Sequence, residues 1–109
     1  MADLLDKCFE ASSIVMNTRD VKDVTIKLME ECGEIAQEIS KLNISNYKMK
    51  FTETEETITN RAICECGDAL NCITDLVYLL CGCNEESAKF HLTQAVQAGL
   101  DKWKKRYNV

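Results

Sequence analysis

Apolar side chains recur at helical spacing in the second quarter of the chain. They are alternately four and three residues apart and form one seam: Leu28, Cys32, Ile35, Ile39 and Leu42. Most residues between them are charged or polar. The pattern predicts an amphipathic helix that is capped by Asp20 or Asp23 and ends near Leu42.

The stretch from Arg61 to Cys81 has a different pattern, with apolar or small side chains on every side of a helical wheel. No proline interrupts it, so the sequence predicts a long third helix that begins near Thr57 or Thr59. Its only charges after Arg61 are acidic: Glu65, Asp68 and Asp75. A helix that is apolar all round is normally buried, so we expect these carboxylates in or beside the core. Burying an unpaired carboxylate costs several kcal/mol, so positive charge must come from elsewhere.

Two further helices are predicted, one from Asp3 to about Met16 and one that opens at Asn84 and ends at Tyr107. Gly82 follows the third helix as a helix-ending glycine. The segment from 43 to 57 lacks helical periodicity, and we interpret it as a loop with a short extended piece at 49–52. The expected fold is an all-α, four-helix bundle-like protomer, with residues 1–109 forming a single domain.

Composition and charge argue against several classes of function and location. The chain has 109 residues and a formal net charge of −5, which argues against a nucleic-acid surface. No uncharged run is long enough to span a bilayer and the first residues lack a signal-peptide pattern, so we expect a cytoplasmic protein that does not bind membranes. The seven cysteines are odd in number and lack C-x-x-C spacing, which favours free thiols.

Two short segments repeat the same acidic pattern. Glu31 and Glu34 are three residues apart on the second helix, and Glu65 and Asp68 are three residues apart on the third. Each pair therefore shares a helix face. If the two helices pack antiparallel, four carboxylates converge, and the cations that fit an all-oxygen site are Mg²⁺ or Mn²⁺. On the helical wheel Glu31 flanks the apolar seam and Glu34 lies further toward solvent, which suits the rim of a cleft.

A plainer interpretation exists for the second helix. Its four glutamates form a solvated face that Lys27 and Lys41 neutralise at four-residue spacing: Glu30, Glu31, Glu34 and Glu38. The third helix does not fit that interpretation, because Glu65 and Asp68 have no such lysine nearby in sequence. Metal binding is therefore the favoured hypothesis for the two pairs together.

The arrangement E-E-x-x-E at 30–34 resembles the first motif of the MazG-like all-α nucleoside triphosphate pyrophosphohydrolases. Glu65-Cys66-Gly67-Asp68 is similar to their second motif, E-x-x-D, and the segment 102–107, K-W-K-K-R-Y, is similar to their closing basic and aromatic segment. The three motifs occur in the family's order. The resemblance spans roughly residues 20 to 107.

The resemblance implies a Mg²⁺-dependent enzyme that splits a nucleoside triphosphate into the monophosphate and pyrophosphate. It implies metal binding by Glu31, Glu34, Glu65 and Asp68, and it matches Lys102 and Arg106 to a basic pair that clamps the phosphate oxygens. Glu30 points about 100° from Glu31 and is left at the margin of the site or in solvent.

Three further expectations concern the general base, a substrate contact and the oligomeric state. Glu34 or Glu65 is the candidate general base that accepts a proton from the attacking water. Asn71, one turn after Asp68, either reads a base or ribose or is a buried amide that satisfies a neighbouring helix. The third helix needs more cover than one protomer gives, so we expect a homodimer or a dimer of dimers.

Two other classes remain for comparison. A non-catalytic helical module that binds metal or nucleotide would carry the same acidic residues without turnover. A di-iron carboxylate bundle needs two Glu-x-x-His motifs, and the chain contains one histidine.

Overall fold

The computed structural model describes residues 2–15, 18–43 and 54–109. In this part of the chain four α-helices follow one another: α1 (Ala2–Val15), α2 (Val21–Asn43), α3 (Glu55–Leu80) and α4 (Glu85–Tyr107). No strand occurs among these residues. The all-α prediction is confirmed. The extended piece expected at 49–52 lies outside the described residues.

The start of α3 is earlier than the sequence pattern suggested. The helix begins at Glu55 rather than near Thr57 or Thr59. The reason is the side chain of Thr54, whose Oγ1 accepts a hydrogen bond from the backbone N–H of Thr57 at 3.1 Å. This contact satisfies one of the free amides of the first turn and so caps the helix.

The turn between α3 and α4 has the predicted residues in the predicted roles. Gly82 has a φ of +67° and donates its N–H to the carbonyl of Leu79, while Cys83 donates to Tyr78 at 2.9 Å. This pair of bonds closes the end of α3. Asn84 then caps α4 by accepting the N–H of Ser87 at 2.8 Å. No single described helix is long and apolar enough to cross a membrane, although α3 and α4 taken together across this bend reach the necessary length and composition.

The chain divides into two compact units. The first consists of Met1–Val21 and Thr74–Val109, and the second of Lys22–Ile73. In the first unit α1 packs on α4. There Lys89 pairs with Asp6 at 2.5 Å, and the hydroxyl of Ser12 donates to Asp75 Oδ1 at 2.5 Å. Asp75 is thus already hydrogen-bonded within this unit.

The second unit contains α2 and the larger part of α3. Its buried apolar side chains come from both helices: Val24, Ile58, Ala62, Ala69 and Cys72. The opposite side of α3 is open, with Ile63 63% and Leu70 50% exposed. One side of α3 is therefore uncovered within the protomer, in line with the expectation that this helix needs more cover than one protomer gives.

Candidate metal centre

The second unit presents the four predicted acidic residues on two facing helices. On α2, Glu31 is only 5% exposed whereas Glu34 is exposed. Glu31 lies beside the apolar seam of α2, so packing of that seam carries its carboxylate inward. The helical wheel predicted this difference between the two glutamates.

Glu65 and Asp68 lie one turn apart on α3 and meet Glu31. One carboxylate oxygen from each of these three residues lies within 4.8 Å of the others. We call Glu31, Glu65 and Asp68 the acidic cluster. Glu65 is half-buried and Asp68 is exposed, so the cluster opens to solvent on the Asp68 side.

Glu34 is linked to this cluster through Glu65. A hydrogen bond with Glu34, together with partial burial and the nearby Glu31, raises the pKa of Glu65 from 4.5 to about 7. Two carboxylates can share a hydrogen bond only when one holds a proton, so the raised pKa reflects negative charges held close together. All four predicted residues are thus brought to one place, three as a tight set and Glu34 as a neighbour.

The buried oxygens of the cluster lack enough donors. Glu31 Oε2 and Glu65 Oε2 are buried without a hydrogen-bond partner. Lys27 Nζ lies 3.2 Å from the other oxygen of Glu31 and is shared with Glu30 at 3.5 Å. The plainer interpretation of α2 is therefore correct for Lys27, but that one lysine does not reach the two unpartnered oxygens.

The donor set fits a hard divalent cation. Three carboxylates with oxygens within 4.8 Å of one another can contract onto one ion, since Mg²⁺–oxygen distances are about 2.0–2.1 Å. While Glu65 is charged, two of the carboxylate oxygens are buried without a donor, and such groups are costly unless a proton or a cation lies beside them. The described residues thus fit the donor set of an oxygen-preferring divalent cation such as Mg²⁺ or Mn²⁺, which Glu31, Glu65 and Asp68 would hold, with Glu34 linked to them through Glu65.

A second group of charges on α2 and α3 was not fully predicted. Arg61 contacts Glu38 through both Nε and Nη2 at 2.9 Å, and Lys41 Nζ lies 3.1 Å from the other oxygen of Glu38. Partial burial raises the pKa of Glu38, but the hydrogen bonds from Lys41 and Arg61 outweigh it and hold that pKa below its ordinary value. The Lys41 pair was visible as sequence spacing, whereas the Arg61 contact crosses between helices.

These contacts also fix the direction of the two helices. Glu38 faces Arg61, and Glu31, two turns earlier on α2, faces Asp68, two turns later on α3. The helices therefore run antiparallel, as the convergence of the acidic pairs required. The ion pair between Glu38 and Arg61 fastens one end of the helix pair while the acidic cluster occupies the other.

The remaining predicted site residues are on the surface. Asn71 is exposed on α3, so its alternative as a buried amide is wrong. Lys102 and Arg106 are exposed on α4 in the first unit. Gly33 and Gly67, which stand beside the acidic residues, have no neighbouring atom within 4 Å of where a Cβ would be, so neither marks a close approach by another part of this chain.

The arrangement can therefore do two things chemically. Its carboxylates have the spacing that a divalent cation between α2 and α3 would require, and without a cation a proton is held between Glu34 and Glu65. Neither property depends on likeness to another protein. No protein-family model, no curated protein and no solved structure matches the chain.

Proposed function

We propose that the protein is a Mg²⁺-dependent nucleoside triphosphate pyrophosphohydrolase that releases a nucleoside monophosphate and pyrophosphate. The observation that carries the proposal is the acidic cluster: one oxygen each of Glu31, Glu65 and Asp68 lies within 4.8 Å of the others, and Glu31 Oε2 and Glu65 Oε2 are buried without a donor. The MazG-like motif order supports the choice of substrate, since it includes these same residues.

In this proposal the acidic residues divide the work by position. Glu31, the most buried, anchors the site from α2, while Asp68 lies at the solvent side where a substrate enters. Mg²⁺ held by Glu31, Glu65 and Asp68 would offset the negative charge of the triphosphate and would help to activate water for attack. Glu34 is outside the tight set, so its carboxylate remains available to accept the proton of the attacking water, with Glu65 as the second candidate.

Other residues are proposed to hold the substrate. Lys102 and Arg106 lie four residues apart and share a face of α4, so both cations can contact one polyphosphate chain. The amide of Asn71, exposed one turn after Asp68, is proposed to contact the base or ribose. These assignments rest on the sequence resemblance together with exposure of all three side chains.

We also propose that the functional form is a homodimer or a dimer of dimers. The uncovered side of α3, with Ile63 and Leu70 at least half exposed, supports this. Apolar side chains seven residues apart on one helix face form a contiguous strip of the kind that a second subunit covers.

The test is pyrophosphate release from a panel of canonical and modified NTPs and dNTPs with Mg²⁺ present. We expect turnover of at least one substrate, its loss with EDTA, and its loss in Glu65→Gln with the fold retained by circular dichroism. Glu30→Gln is the matched control and should retain activity, because Glu30 is exposed and its ion pair is with Lys27 rather than with the acidic cluster. Nucleotide binding without turnover in the wild type would refute the enzyme and support a regulatory module.

A further inference from the structure

The last helix carries an apolar stripe that the proposed chemistry does not use. We call it the α4 stripe, and each of its members is at least 50% exposed: Val96, Leu100, Trp103 and Tyr107. At about 100° per residue, spacings of four, three and four place all of them within roughly 60° of one another. The rings of Trp103 and Tyr107 meet edge to face with centroids 5.8 Å apart, so the stripe ends in a continuous aromatic patch.

Within the first unit no helix covers this stripe. Asp6 of α1 contacts Lys89, and Phe9, further along α1, lines a small cavity with Glu85. The two helices are therefore antiparallel, and α1, which begins at Ala2, extends only about one turn past Lys89. From 93 to 109 every residue is exposed except the half-buried Gly99. The second half of α4 thus projects from its unit with the stripe open.

The charge around the stripe is positive although the chain as a whole is acidic. We call four cations near the end of α4 the basic segment: Lys102, Lys104, Lys105 and Arg106. The one acid after Glu86 in this helix is Asp101, whose Oδ1 accepts a hydrogen bond from Gln97 at 3.0 Å. A helix is about 10 Å across, which is close to the Debye length at physiological ionic strength. All four cations therefore attract an anionic surface on which the stripe rests.

A second copy of the chain is a poor match for this stripe. Two copies that bury their stripes against each other bring the centres of their basic segments within roughly 8 Å along the helix axis, in either orientation. Like charges repel at that separation. A pairing shifted toward the start of α4 sets Tyr107 against Lys89, which α1 already meets through Asp6. The uncovered half of α4 therefore favours a partner of negative charge.

The shape of this region favours a lipid surface over a folded protein or a peptide. A single projecting helix is convex, whereas an apolar helix or strand from a partner docks in a groove or at a sheet edge. Lipid headgroups need no preformed groove. Tryptophan and tyrosine are enriched at membrane–water interfaces, and flanking side chains such as Lys104 can extend their charge toward the headgroups.

From these observations we propose that the second half of α4 lies on an anionic lipid surface. The α4 stripe enters the headgroup region, and the basic segment holds the helix there by charge. The expectation that the protein does not bind membranes came from the lack of a run long enough to span a bilayer, which concerns crossing and not attachment at the surface. This attachment is independent of the acidic cluster, and its tests do not measure activity.

The first test uses the single tryptophan of the chain. In nucleotide-free buffer, phosphatidylcholine vesicles that contain about one-third phosphatidylserine should shift the emission of Trp103 to shorter wavelength and should carry the protein upward in flotation. Vesicles of phosphatidylcholine alone should bind it much more weakly. Leu100→Glu should weaken binding by at least about 10-fold, because it replaces a buried apolar side chain with a charge. Ala98→Glu adds the same charge on the opposite, exposed face of α4 and should bind like Leu100→Glu only if the stripe has no special role.

The second test addresses charge. Lys104 and Lys105 are outside the proposed substrate contacts, and their joint replacement by glutamine should weaken binding by about 30-fold. Because these side chains are exposed, the helical circular dichroism should be unchanged. No binding of the wild type to phosphatidylserine vesicles, equal binding to phosphatidylcholine alone, or equal losses in Leu100→Glu and Ala98→Glu would overturn the proposal. A shift of Trp103 emission with protein concentration in the absence of lipid would also overturn it, since a second copy would then cover the stripe.

Discussion

The substitution Asp68→Asn separates a metal site from a group of surface acids. Asp68 is the most exposed member of the acidic cluster, and asparagine keeps its size while removing one negative charge. In the absence of metal the change relieves repulsion from Glu31 and Glu65, so we expect a metal-free protein at least as stable as the wild type. In the presence of Mg²⁺ the same change removes one ligand, so the stabilisation that the cation provides should be largely lost.

The size of the effect follows from linkage. At a Mg²⁺ concentration about 100 times the dissociation constant, binding stabilises the folded state by about 2.7 kcal/mol. A chain of 109 residues loses about 0.23 kcal/mol of stability per degree near its midpoint, so the wild-type Tm should rise by about 12 °C. Loss of one charged ligand weakens binding by about 100-fold. At the same Mg²⁺ concentration, Asp68→Asn should then gain only about 2 °C.

Thermal unfolding by circular dichroism, with EDTA and then with millimolar Mg²⁺, measures both quantities. Glu30→Gln is the control because it removes an exposed carboxylate from the same surface and leaves the carboxylates of Glu31, Glu65 and Asp68 and the Lys27–Glu31 pair in place. It should retain the full gain of the wild type. If Mg²⁺ raises the Tm of the wild type and of Asp68→Asn equally, or raises neither, the acidic cluster does not bind the cation and the proposed function fails with it.

Three other predictions test separate parts of the structure. The pKa of Glu65 in the folded protein is about 7, against an ordinary 4.5. In EDTA the stability linked to this proton is therefore fully present below about pH 4.5 and is lost as the pH rises to about 7. The Tm measured across that range should fall, and Glu65→Gln should make the fall smaller. Glu38→Gln weakens the contacts with Arg61 and should lower the free energy of unfolding by about 1–2 kcal/mol in urea titrations, whereas an unchanged midpoint would mean that this ion pair does not fasten the helices. Arg106→Gln should lower kcat/KM by roughly 10- to 150-fold without changing the Mg²⁺-induced rise in Tm. The control Lys104→Gln should change kcat/KM little when both variants are assayed in the wild-type oligomeric state. Equal losses in the two variants would indicate a diffuse basic surface.

The number and order of the helices could be predicted from the sequence because their signals are local. The seam of α2 and the cap at Asn84 depend on residues within one or two turns of one another. The start of α3 was missed because Thr54 stands in a run of alternating threonine and glutamate, where several residues offer equivalent caps. Choosing among them depends on which side chain the folded chain turns toward the first free amides.

Which side of α3 is covered within the protomer could not be predicted, for a different reason. Apolar residues on every side show that a helix has little affinity for water, but they do not show which partner covers each side. In the protomer α2 supplies one cover, and Ile63 and Leu70 remain exposed. A pattern on one helix contains no information about how many neighbours it has, so only the structure separates the covered side from the open one.

The acidic cluster could be predicted because both of its halves have local spacing and because antiparallel packing was the simplest way to join them. The contact between Arg61 and Glu38 could not, since it connects residues of different helices whose relative height was unknown. One indication was present: Arg61 precedes Glu65 by four residues and therefore shares its face.

The two ends of the α2–α3 pair differ in whether their acidic side chains have cationic partners. At one end the negative charge of Glu38 is neutralised by ion pairs with Arg61 and Lys41, as stable helix packing requires. At the other end, within the described part of the chain, Lys27 is the cation that contacts the acidic cluster, through Glu31, and two buried oxygens have no donor. A helix pair under selection for stability alone would neutralise both ends, because a lysine in place of Glu65 would remove the repulsion and add an ion pair with Glu31. The uncompensated negative charge at this end therefore weakens the metal-free fold. A cation held among these carboxylates, as the proposed function requires, would be the simplest way to compensate that charge.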